Sequence, residues 1–394
     1  MTVKFMQWYQ SRCETLFEDD IFEKNDIHDI AFTNEVVKKH NIDVNIHECI
    51  ASGSIGQVYR GSYENKDVAI KVRHPNVLEE IQCPMLFVRL ILYFAAFMGK
   101  KHLRLSNYFD FEEFFEIFNL QLNFTNEGNT MEYIKSVLGR QDYIIIPNVV
   151  FKSEDLLIMS YHDGKSISEI RSDTEKHELI NLVSCFMRIC MYFANMVHGD
   201  MHEGNFKYDN GKLIVYDFGI MAKGNGYAMN QLLHTFQYVD HSVLIHLILK
   251  EFTNGCTDDE KKRILQDENF LSAINRPPNI INILQQSCIF LEKYNKVVSN
   301  TAITLLMSYG LLEKQFAKYG IQTNNDKTIQ EQREWYRSFL IKQLAFCRLK
   351  NIFPELQDDF RSKLKIMTNL QKEIFPSTLQ SPLVSNFYSS LRKE

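Results

Sequence analysis

The chain lacks the features that mark disulfide-bonded, zinc-binding or nucleic-acid-binding proteins. Its 394 residues include eight cysteines, none of them spaced as a Cys-x-x-Cys pair. Such spacing is the usual signature of a zinc or redox site, so we expect reduced thiols and no zinc centre. The formal net charge of −5 argues against nucleic acid as a main partner, because nucleic-acid-binding domains are usually basic.

A long apolar run is also missing. The most apolar segment, residues 85–98, is interrupted by Arg89 and is shorter than the roughly 20 residues that cross a bilayer. We interpret it as a buried helix, with a helix in the membrane interface and a short anchor as alternatives. The residues near Met1 show neither a secretory signal nor an Arg-rich transit pattern. We therefore expect a cytoplasmic protein or one peripheral to a membrane.

The sequence does contain a short motif with three oxygen-bearing side chains in a set order. Asp200 and Asn205 lie in the segment His-Gly-Asp-Met-His-Glu-Gly-Asn, and Asp217 opens an Asp-Phe-Gly triplet. In kinases, the aspartate of such a loop handles the proton of the acceptor hydroxyl, while the asparagine and the second aspartate hold Mg²⁺. Because a single tripeptide can arise by chance, the prediction rests on the order and spacing of all three residues.

The parts that a kinase needs upstream of this motif are present. Val68–Lys71 has the pattern of a strand ending in a lysine, as in the kinase strand whose lysine contacts the ATP phosphates. Residues 51–58 precede this strand and are mostly small, which allows backbone amides to approach phosphate. Alone, this loop would equally fit an ordinary hairpin turn, and its position before Lys71 favours phosphate binding.

Several details separate this pattern from ordinary protein kinases. His202 stands where a lysine is usual, no Ala-Pro-Glu follows the Asp-Phe-Gly triplet, and Lys4 and Gln7 form a Lys-x-x-Gln motif. With Ser-Ile-Gly-Gln-Val at residues 54–58, the chain resembles the UbiB (aarF-domain) family of atypical kinases, which is associated with ubiquinone biosynthesis. That family has the patterns Ala-Ala-Ala-Ser-Ile-Gly-Gln-Val and His-Ala/Gly-Asp-Pro-His-Pro-Gly-Asn. The resemblance covers roughly residues 1–225.

The resemblance implies a role for each matching residue. Lys71 would bind phosphate and pair with Glu127, for which a solvated carboxylate on a helix face is the alternative. Asp200 would be the catalytic carboxylate. Asn205 and Asp217 would be the metal ligands, which suits the preference of Mg²⁺ for oxygen. The implied cofactors are ATP and Mg²⁺.

The resemblance also implies a surface that binds the nucleotide. The small-residue loop and the strand after it would surround the phosphates, and the strand and hinge near residue 160 would hold adenine through backbone hydrogen bonds. The residues implied are Ala51, Ser52, Gly53, Ser54, Ile55, Gly56, Val58, Ala69, Lys71, Met159, Ser160 and Tyr161.

The chain departs from the family pattern at the motifs that are specific to the family. Met6 replaces the glycine of Lys-x-Gly-Gln between Lys4 and Gln7, and Gln121 and Asn123 replace the two carboxylates of Glu-x-Asp. Amide side chains keep hydrogen-bonding capacity but carry no charge. These replacements put charge pairing with Lys4 in question.

The leading interpretation is an ATP- and Mg²⁺-dependent atypical kinase or ATPase. The resemblance points to a lipid, quinone-precursor or other small-molecule acceptor and to peripheral membrane contact. The missing Ala-Pro-Glu agrees, because that segment supports peptide docking in ordinary kinases. A catalytically weak nucleotide-binding scaffold, suggested by the altered motifs, is one alternative. A protein Ser/Thr kinase, suggested by Gly53, is the other.

The expected fold class is α+β. It is a two-lobed protein-kinase-like fold with a small β-rich N-lobe, a helical N-terminal extension and a large, mostly α-helical C-lobe. The predicted domains are the extension at residues 1–41, the N-lobe with a helical insertion at 42–162, and the C-lobe with a loose tail at 163–394.

Local patterns predict individual elements within these domains. Asn210-Gly211 predicts a hairpin turn, which would hold Asn205 and Asp217 at the two ends of one hairpin. Apolar spacing predicts a helix over 175–197 that leads into the catalytic loop. Further helices are predicted at 110–138, 227–252, 258–266, 279–319, 328–349 and 355–373.

Overall fold

The computed structural model describes residues 27–53, 55–79, 119–138, 143–226 and 298–320, together with shorter pieces. The shorter pieces are residues 86, 90, 228–229, 248–249, 252–253, 256–267, 291, 293–294 and 296. Contacts divide the chain into the units Met1–Gln332 and Arg333–Glu394, and the described residues lie in the first. Some predictions lie outside the described residues: Lys4, Gln7, Ser54, most of 85–98 and of 227–252, and the helices at 328–349 and 355–373.

The described part of the chain alternates strands and helices in the order expected for a small β-rich lobe followed by a helical one. The helices are α1 (Ile30–Lys39), α2 (Phe124–Leu138), α3 (Asp173–Ile189), α4 (Asp258–Leu265) and α5 (Asn300–Lys318). The strands are β1 (Asn45–Ser52), β2 (Gly56–Tyr63), β3 (Lys66–Arg73), β4 (Ile144–Ile145), β5 (Val149–Lys152), β6 (Leu156–Ser160), β7 (Met196–His198), β8 (Phe206–Asp209), β9 (Lys212–Val215) and β10 (Met221–Lys223).

The N-lobe is built on a five-stranded antiparallel sheet in the order β1-β2-β3-β6-β5. Its central strand, β3, is rich in β-branched residues, which favour the pleated backbone. One face of the sheet is covered by α1, because Val36 and Val37 on one side of that helix pack onto it. The other buried members of this core are Tyr59, Val68, Ile70, Val72, Leu156 and Ile158.

The end of α1 is fixed to the β5–β6 turn by one carboxylate. Asp155 accepts hydrogen bonds from Lys39 Nζ at 2.8 Å, His40 Nε2 at 2.7 Å and Ser153 Oγ at 3.0 Å. Burial alone would raise the pKa of Asp155, but these donors outweigh burial and lower that pKa to about 2. The pairing therefore favours the ionised carboxylate and holds the helix against the sheet.

Helix α3 forms the buried centre of the C-lobe. It begins at the N-cap Ser172, whose hydroxyl accepts from the backbone N–H of Glu175, and most of its residues are buried. The helical turns end in a π-helical segment, Cys190–Ala194, and Asn195 takes a left-handed conformation with φ 54°. The prediction of a helix up to residue 197 is therefore wrong at its end, because the left-handed Asn195 turns the chain into β7.

The predicted hairpin between the two metal-ligand candidates is confirmed. β8 pairs antiparallel with β9, and Asn210 and Gly211 between them both have positive φ angles, 46° and 80°, as a type I′ turn requires. β4 adds a parallel strand to the outer side of β9. Asn205 therefore precedes this hairpin directly, and Asp217 follows shortly after it.

Two helix predictions are wrong in their continuity. The predicted helix at 110–138 is broken before α2, because Asn123 Oδ1 accepts from the N–H of Thr125, which competes with helical hydrogen bonding. The predicted helix at 279–319 is broken before α5, because Val298 forms a β-bridge with Thr253 and Ser299 caps the new helix. The helix predicted at 258–266 is confirmed as α4.

The observed elements confirm the α+β fold class. The three predicted domain boundaries stay a prediction. Among the residues that the structure describes, there is no helix with both the length and the apolar character needed to cross a membrane.

The Asp155 pairing generates a stability prediction. We expect Asp155→Asn to lower the free energy of unfolding by about 2 kcal/mol, because charge-assisted hydrogen bonds are lost from a mostly buried site. Urea unfolding at neutral pH measures this change. The stabilisation depends on a lowered carboxyl pKa, so it should be present above the ordinary value of 3.8 and disappear as the pH falls towards about 2.

Asp67→Asn is the matched control for this prediction. Asp67 pairs with Arg60 at the surface, where the side chains are 51% and 37% exposed. Exposed pairs contribute little, so the control should change the free energy of unfolding by less than about 1 kcal/mol. Equal effects of the two substitutions would contradict the role assigned to Asp155.

Candidate active site

A partly buried lysine held by two carboxylates is the centre of the candidate site. Lys71 Nζ donates hydrogen bonds to both carboxylate oxygens of Glu127 at 2.8 Å and to Asp217 Oδ2 at 3.0 Å. Lys71 lies on β3, Glu127 on α2, and Asp217 after β9. The Glu127 side chain is 1% exposed, so this carboxylate is buried and paired rather than solvated. Three segments distant in sequence therefore meet at one ammonium group.

The sequence around Glu127 explains how α2 positions this side chain next to Lys71. Buried residues recur at helical spacing along one face of α2, including Phe124, Glu127 and Met131. The Phe124 ring lies 5.1 Å from Lys71 Nζ, and the Phe124 N–H donates to the Glu154 carbonyl. The start of α2 is therefore anchored on the N-lobe, with Glu127 directed at Lys71.

Electrostatics at this cluster keep the lysine charged. Burial opposes the charge, but Asp217 and Glu127 outweigh burial and raise the pKa of Lys71. Burial raises the pKa of Glu127 to about 7 despite the neighbouring lysine. Burial would also raise the pKa of Asp217, but Lys71 and the Gly219 N–H lower it to about 2. The site therefore contains a permanent cation beside an ionised aspartate.

The loop predicted to bind phosphate folds back on itself between β1 and β2. The Gly53 N–H donates to the Gly56 carbonyl at 2.9 Å, and the His74 N–H donates to the Ile55 carbonyl at 2.9 Å. His74 Nε2 lies 2.9 Å from the Gly53 carbonyl oxygen. A side chain on Gly56 would meet the Val72 carbonyl oxygen at 2.6 Å, so the close approach to β3 requires glycine there.

The other residues predicted for this surface lie on the adjoining strands. Ala51 and Gly53 are exposed, and Ser52 and Ile55 are partly buried. Val58 is opposite Lys71 in the β2–β3 ladder. Ala69 is buried and is opposite Met159, so the small alanine and the hinge strand lie side by side.

The hinge residues are already tied into the protein through two of their amides. The Ser160 N–H donates to the Asn148 carbonyl at 2.8 Å, and the Tyr161 N–H donates to the Asp67 carbonyl at 3.0 Å. Ser160 Oγ lies 3.0 Å from His162 Nε2, and the His162 carbonyl accepts from the Tyr216 hydroxyl at 2.9 Å. These two N–H groups are therefore already used in hydrogen bonds within the protein.

The catalytic-loop candidates are the more exposed members of the site. Asp200 and His202 have side chains that are 35% and 45% exposed, with His202 Nε2 at 3.7 Å from Asp200 Oδ2. The Gly204 N–H donates to His202 Nδ1 at 3.1 Å, which directs the Nε2 side of the ring towards Asp200. Asn205 Nδ2 donates to the Asp200 carbonyl at 2.7 Å and closes the loop. The loop thus presents a carboxylate and an imidazole together at its surface.

His198 is a buried residue of the motif to which the sequence patterns assigned no separate role. Its Nδ1 accepts from the Asp200 N–H at 3.2 Å, so the Nε2–H donates to the Asp217 carbonyl at 2.6 Å. The side chain is fully buried, and burial lowers its pKa, which keeps the ring neutral. His198 therefore joins the catalytic loop to the Asp-Phe-Gly segment. In the sequence, this linking role was indicated by the position of His198 as the first residue of the motif.

The two predicted metal ligands have the chemistry that Mg²⁺ requires. Asn205 uses its amide nitrogen in the hydrogen bond to Asp200, which leaves Oδ1 as the atom suited to a cation. Asp217 Oδ1 accepts from the Gly219 N–H at 2.8 Å, which orients the carboxylate. The Tyr216 N–H donates to the Asn205 carbonyl at 3.0 Å and links the two ends of the hairpin. One carboxylate and one amide fit an ion that takes its remaining ligands from phosphate and water.

Other kinds of metal site are not apparent in the part of the chain that the structure describes. That part contains no group of three or more His, Cys, Asp and Glu side chains that could hold a metal ion.

The two described residues of the family-specific motifs lie near the site. A Cβ on Gly219 would be 3.6 Å from Gln121 Cγ, so Gln121 lies against the Asp-Phe-Gly segment. Asn123 instead caps α2 through the N–H of Thr125. Lys4 and Gln7 are outside the described residues. The amide at 123 therefore has a local structural role in placing Glu127.

Comparison with known proteins identifies the family. The model of the ABC1 atypical kinase-like domain matches residues 40–242, which is more than half of the chain. The chain belongs to the ABC1 atypical kinase-like family, and the resemblance to UbiB/aarF-type kinases is confirmed.

Curated relatives agree with this assignment. An Arabidopsis thaliana protein called ACTIVITY OF BC1 COMPLEX KINASE 8, chloroplastic, is 24% identical over 206 residues, covering 48% of this chain and 26% of that protein. The mouse AarF domain-containing protein kinase 1 is 26% identical over 189 residues, covering 43% of this chain and 34% of that protein. The matched segment thus spans about a third or less of these relatives.

Among solved structures, the Mycobacterium tuberculosis protein Rv3197, determined with erythromycin, is similar to this chain. It aligns with a TM-score of 0.49 and 16% identity, covering 79% of this chain and 88% of that one.

The buried ion pair generates a prediction that is independent of catalysis. We expect Glu127→Gln to lower the free energy of unfolding by roughly 3 kcal/mol, because removing one partner of a buried pair leaves the lysine poorly compensated. Thermal and urea unfolding measure this change. Glu132→Gln, on the same helix, removes a carboxylate that is 52% exposed and pairs with Lys152. It should cost less than about 1 kcal/mol, and equal losses would contradict the assignment.

Proposed function

We propose that this protein is an ATP- and Mg²⁺-dependent phosphotransferase or ATPase of the UbiB type. The observation that carries the proposal is the contact of Lys71 Nζ with both Glu127 and Asp217. A lysine positioned by a buried glutamate beside a metal-ligand aspartate is the arrangement used to bind nucleotide phosphates. Lys71 would contact the phosphates, and Glu127 would hold it in place.

The catalytic step would belong to the exposed carboxylate of the loop. Asp200 would orient the acceptor hydroxyl or water and receive its proton, which contributes about 10²–10⁴-fold when a group acts as general base. Its backbone is fixed on both sides, since its N–H donates to His198 and its carbonyl accepts from Asn205. Most of the remaining acceleration would come from positioning and charge neutralisation.

Asn205 and Asp217 would hold Mg²⁺. When bound, the ion supplies positive charge that neutralises the phosphate oxygens. Two features of the chain suit Asp217 to this ion. Lys71 and the Gly219 N–H keep the Asp217 carboxylate ionised, and His198 links the backbone of Asp217 to the catalytic loop.

The base of the nucleotide would be held at the hinge. Because the amides of Ser160 and Tyr161 are used within the sheet, the Ser160 carbonyl and the N–H of His162 are the backbone groups that we assign to adenine. The bonds of His162 to Ser160 and Tyr216 would keep this segment rigid.

The acceptor in this proposal is a lipid or another small molecule, with a phenolic quinone precursor as the class to test first. The support for this choice is the family, together with the absence of Ala-Pro-Glu from the sequence. A protein acceptor is the alternative, and radiolabelled phosphate appearing on added protein substrates would favour it.

The metal assignment is tested by Asp217→Asn. We expect Mg·ATP turnover by the purified protein to fall roughly 10²-fold or more, since a positioned charge of the site is lost. Phosphate release, with and without membranes or quinone precursors, measures this change. Asp209→Asn, at the turn of the hairpin that precedes Asp217, should leave turnover unchanged. Full turnover in Asp217→Asn would refute the metal assignment.

The role of the lysine is tested by Lys71→Met. We expect binding of a fluorescent ATP analogue to weaken about 10–100-fold, which is the effect of losing one charge-assisted hydrogen bond. Unchanged affinity would overturn the phosphate-binding role. Tight ATP binding by the wild-type protein without phosphate release or transfer would instead favour a nucleotide-binding scaffold.

A further inference from the structure

The catalytic loop of this chain lacks the two prolines of the family pattern His-Ala/Gly-Asp-Pro-His-Pro-Gly-Asn. Met201 and Glu203 stand at those positions. Proline stiffens a loop by fixing one backbone dihedral, so this loop needs another source of rigidity. Met201 is 2% exposed and packs into the C-lobe. Glu203 is about 39% exposed, so burial alone does not fix it.

A side chain from α5 holds Glu203 instead. The Tyr319 hydroxyl donates to Glu203 Oε2 at 2.7 Å, and Tyr319 is the C-cap residue of α5. The hydrogen bond raises the pKa of Tyr319 to about 12, so the hydroxyl remains a donor at any physiological pH. Lys318 Nζ lies 3.7 Å from the other oxygen, but it is 68% exposed, and such pairs contribute little. Tyr319 is therefore the principal tether.

The same helix contacts the site at two more points. The Thr301 hydroxyl donates to the Lys223 carbonyl at 2.9 Å, just beyond the Asp-Phe-Gly segment. A Cβ on Gly199 would lie 3.0 Å from Thr304 Cγ2, so the helix packs closely on the start of the catalytic loop. Because these residues lie on one helix, α5 contacts both the catalytic loop and the chain that follows the Asp-Phe-Gly segment.

The tethered residue lies next to the groups assigned to chemistry. Glu203 follows His202, whose ring faces Asp200, and it precedes Gly204, whose N–H holds that ring through Nδ1. Movement of Glu203 would displace the imidazole and, through it, the surroundings of the Asp200 carboxylate. Lys71 and Glu127 belong to other elements and would not move with it.

We propose that Tyr319, acting through Glu203, is a positioning residue that holds His202 and Asp200 in place for phosphoryl transfer. This inference rests on the proposed function. It predicts that the tether acts on the chemical step and leaves nucleotide binding intact.

The test compares Tyr319→Phe and Glu203→Ala with the wild-type protein in Mg·ATP turnover. We expect kcat to fall about tenfold in each, as loss of one charge-assisted hydrogen bond suggests, and KM for Mg·ATP to stay within about twofold. Tyr294→Phe is the matched control, since that hydroxyl donates to Asp267 at 2.9 Å away from the loop. An unchanged kcat, or an equal loss in Tyr294→Phe, would overturn the proposal.

A rescue experiment separates positioning from general destabilisation. Glu203→Pro restores the family residue and makes the tether unnecessary, so adding Tyr319→Phe to Glu203→Pro should change kcat less than twofold. A further tenfold fall in that double variant would contradict the proposal, because Tyr319 would then act through something other than Glu203.

Hydrogen exchange distinguishes failure of this inference from failure of the proposed function. If the wild-type protein neither releases phosphate nor transfers it to an acceptor, the proposed function fails, but the tether is still measured by amide exchange in residues 198–206. Exchange there should be faster in Tyr319→Phe and unchanged in Tyr294→Phe. Equal exchange in the two variants would overturn the tether itself.

Discussion

The ion cluster of Lys71 with Glu127 and Asp217 is the interaction on which the rest of the described structure depends. A carboxylate as buried as that of Glu127 is costly unless it is paired, so α2 must meet Lys71 on β3, which also contacts Asp217 after β9. Phe124 is buried and the start of α2 is anchored on the N-lobe, which places Glu127 beside Lys71. The cluster also sets the polarity of the site, with a fixed cation beside an ionised aspartate.

Around this cluster, neutral hydrogen bonds connect the segments that the charges bring together. His198 links the backbone of Asp200 to that of Asp217, and Asn205 closes the catalytic loop on itself. Burial keeps His198 neutral, so one ring nitrogen accepts while the other donates. Helix α5 then supports the loop from outside through Tyr319. Asp200 and the candidate metal ligands Asn205 and Asp217 are thus positioned by hydrogen bonds to neighbouring protein groups.

Much of this arrangement could be predicted from local sequence, and the failures share one cause. The β8–β9 hairpin followed from Asn210-Gly211, since few dipeptides accept two positive φ angles. The breaks at Asn123 and Asn195 were missed, because apolar spacing alone does not report a side chain that caps a helix or a residue that turns left-handed. His198 was missed as a linker because its partners are backbone atoms, which leave no pattern in side-chain identity.

By itself, the sequence determined the chemical groups and their order: a lysine after a small-residue loop, a carboxylate–amide pair at fixed spacing, and a second aspartate before Phe-Gly. One loop sets the spacing of Asp200 and Asn205, and one hairpin sets that of Asn205 and Asp217. Both spacings can therefore be predicted from local sequence. Only the tertiary structure decided which groups meet. The pairing of Lys71 with Asp217, of Asp155 with α1 and of Tyr319 with Glu203 joins residues far apart in the chain. Such contacts arise from packing, because burial fixes the distances between elements that local propensity leaves independent.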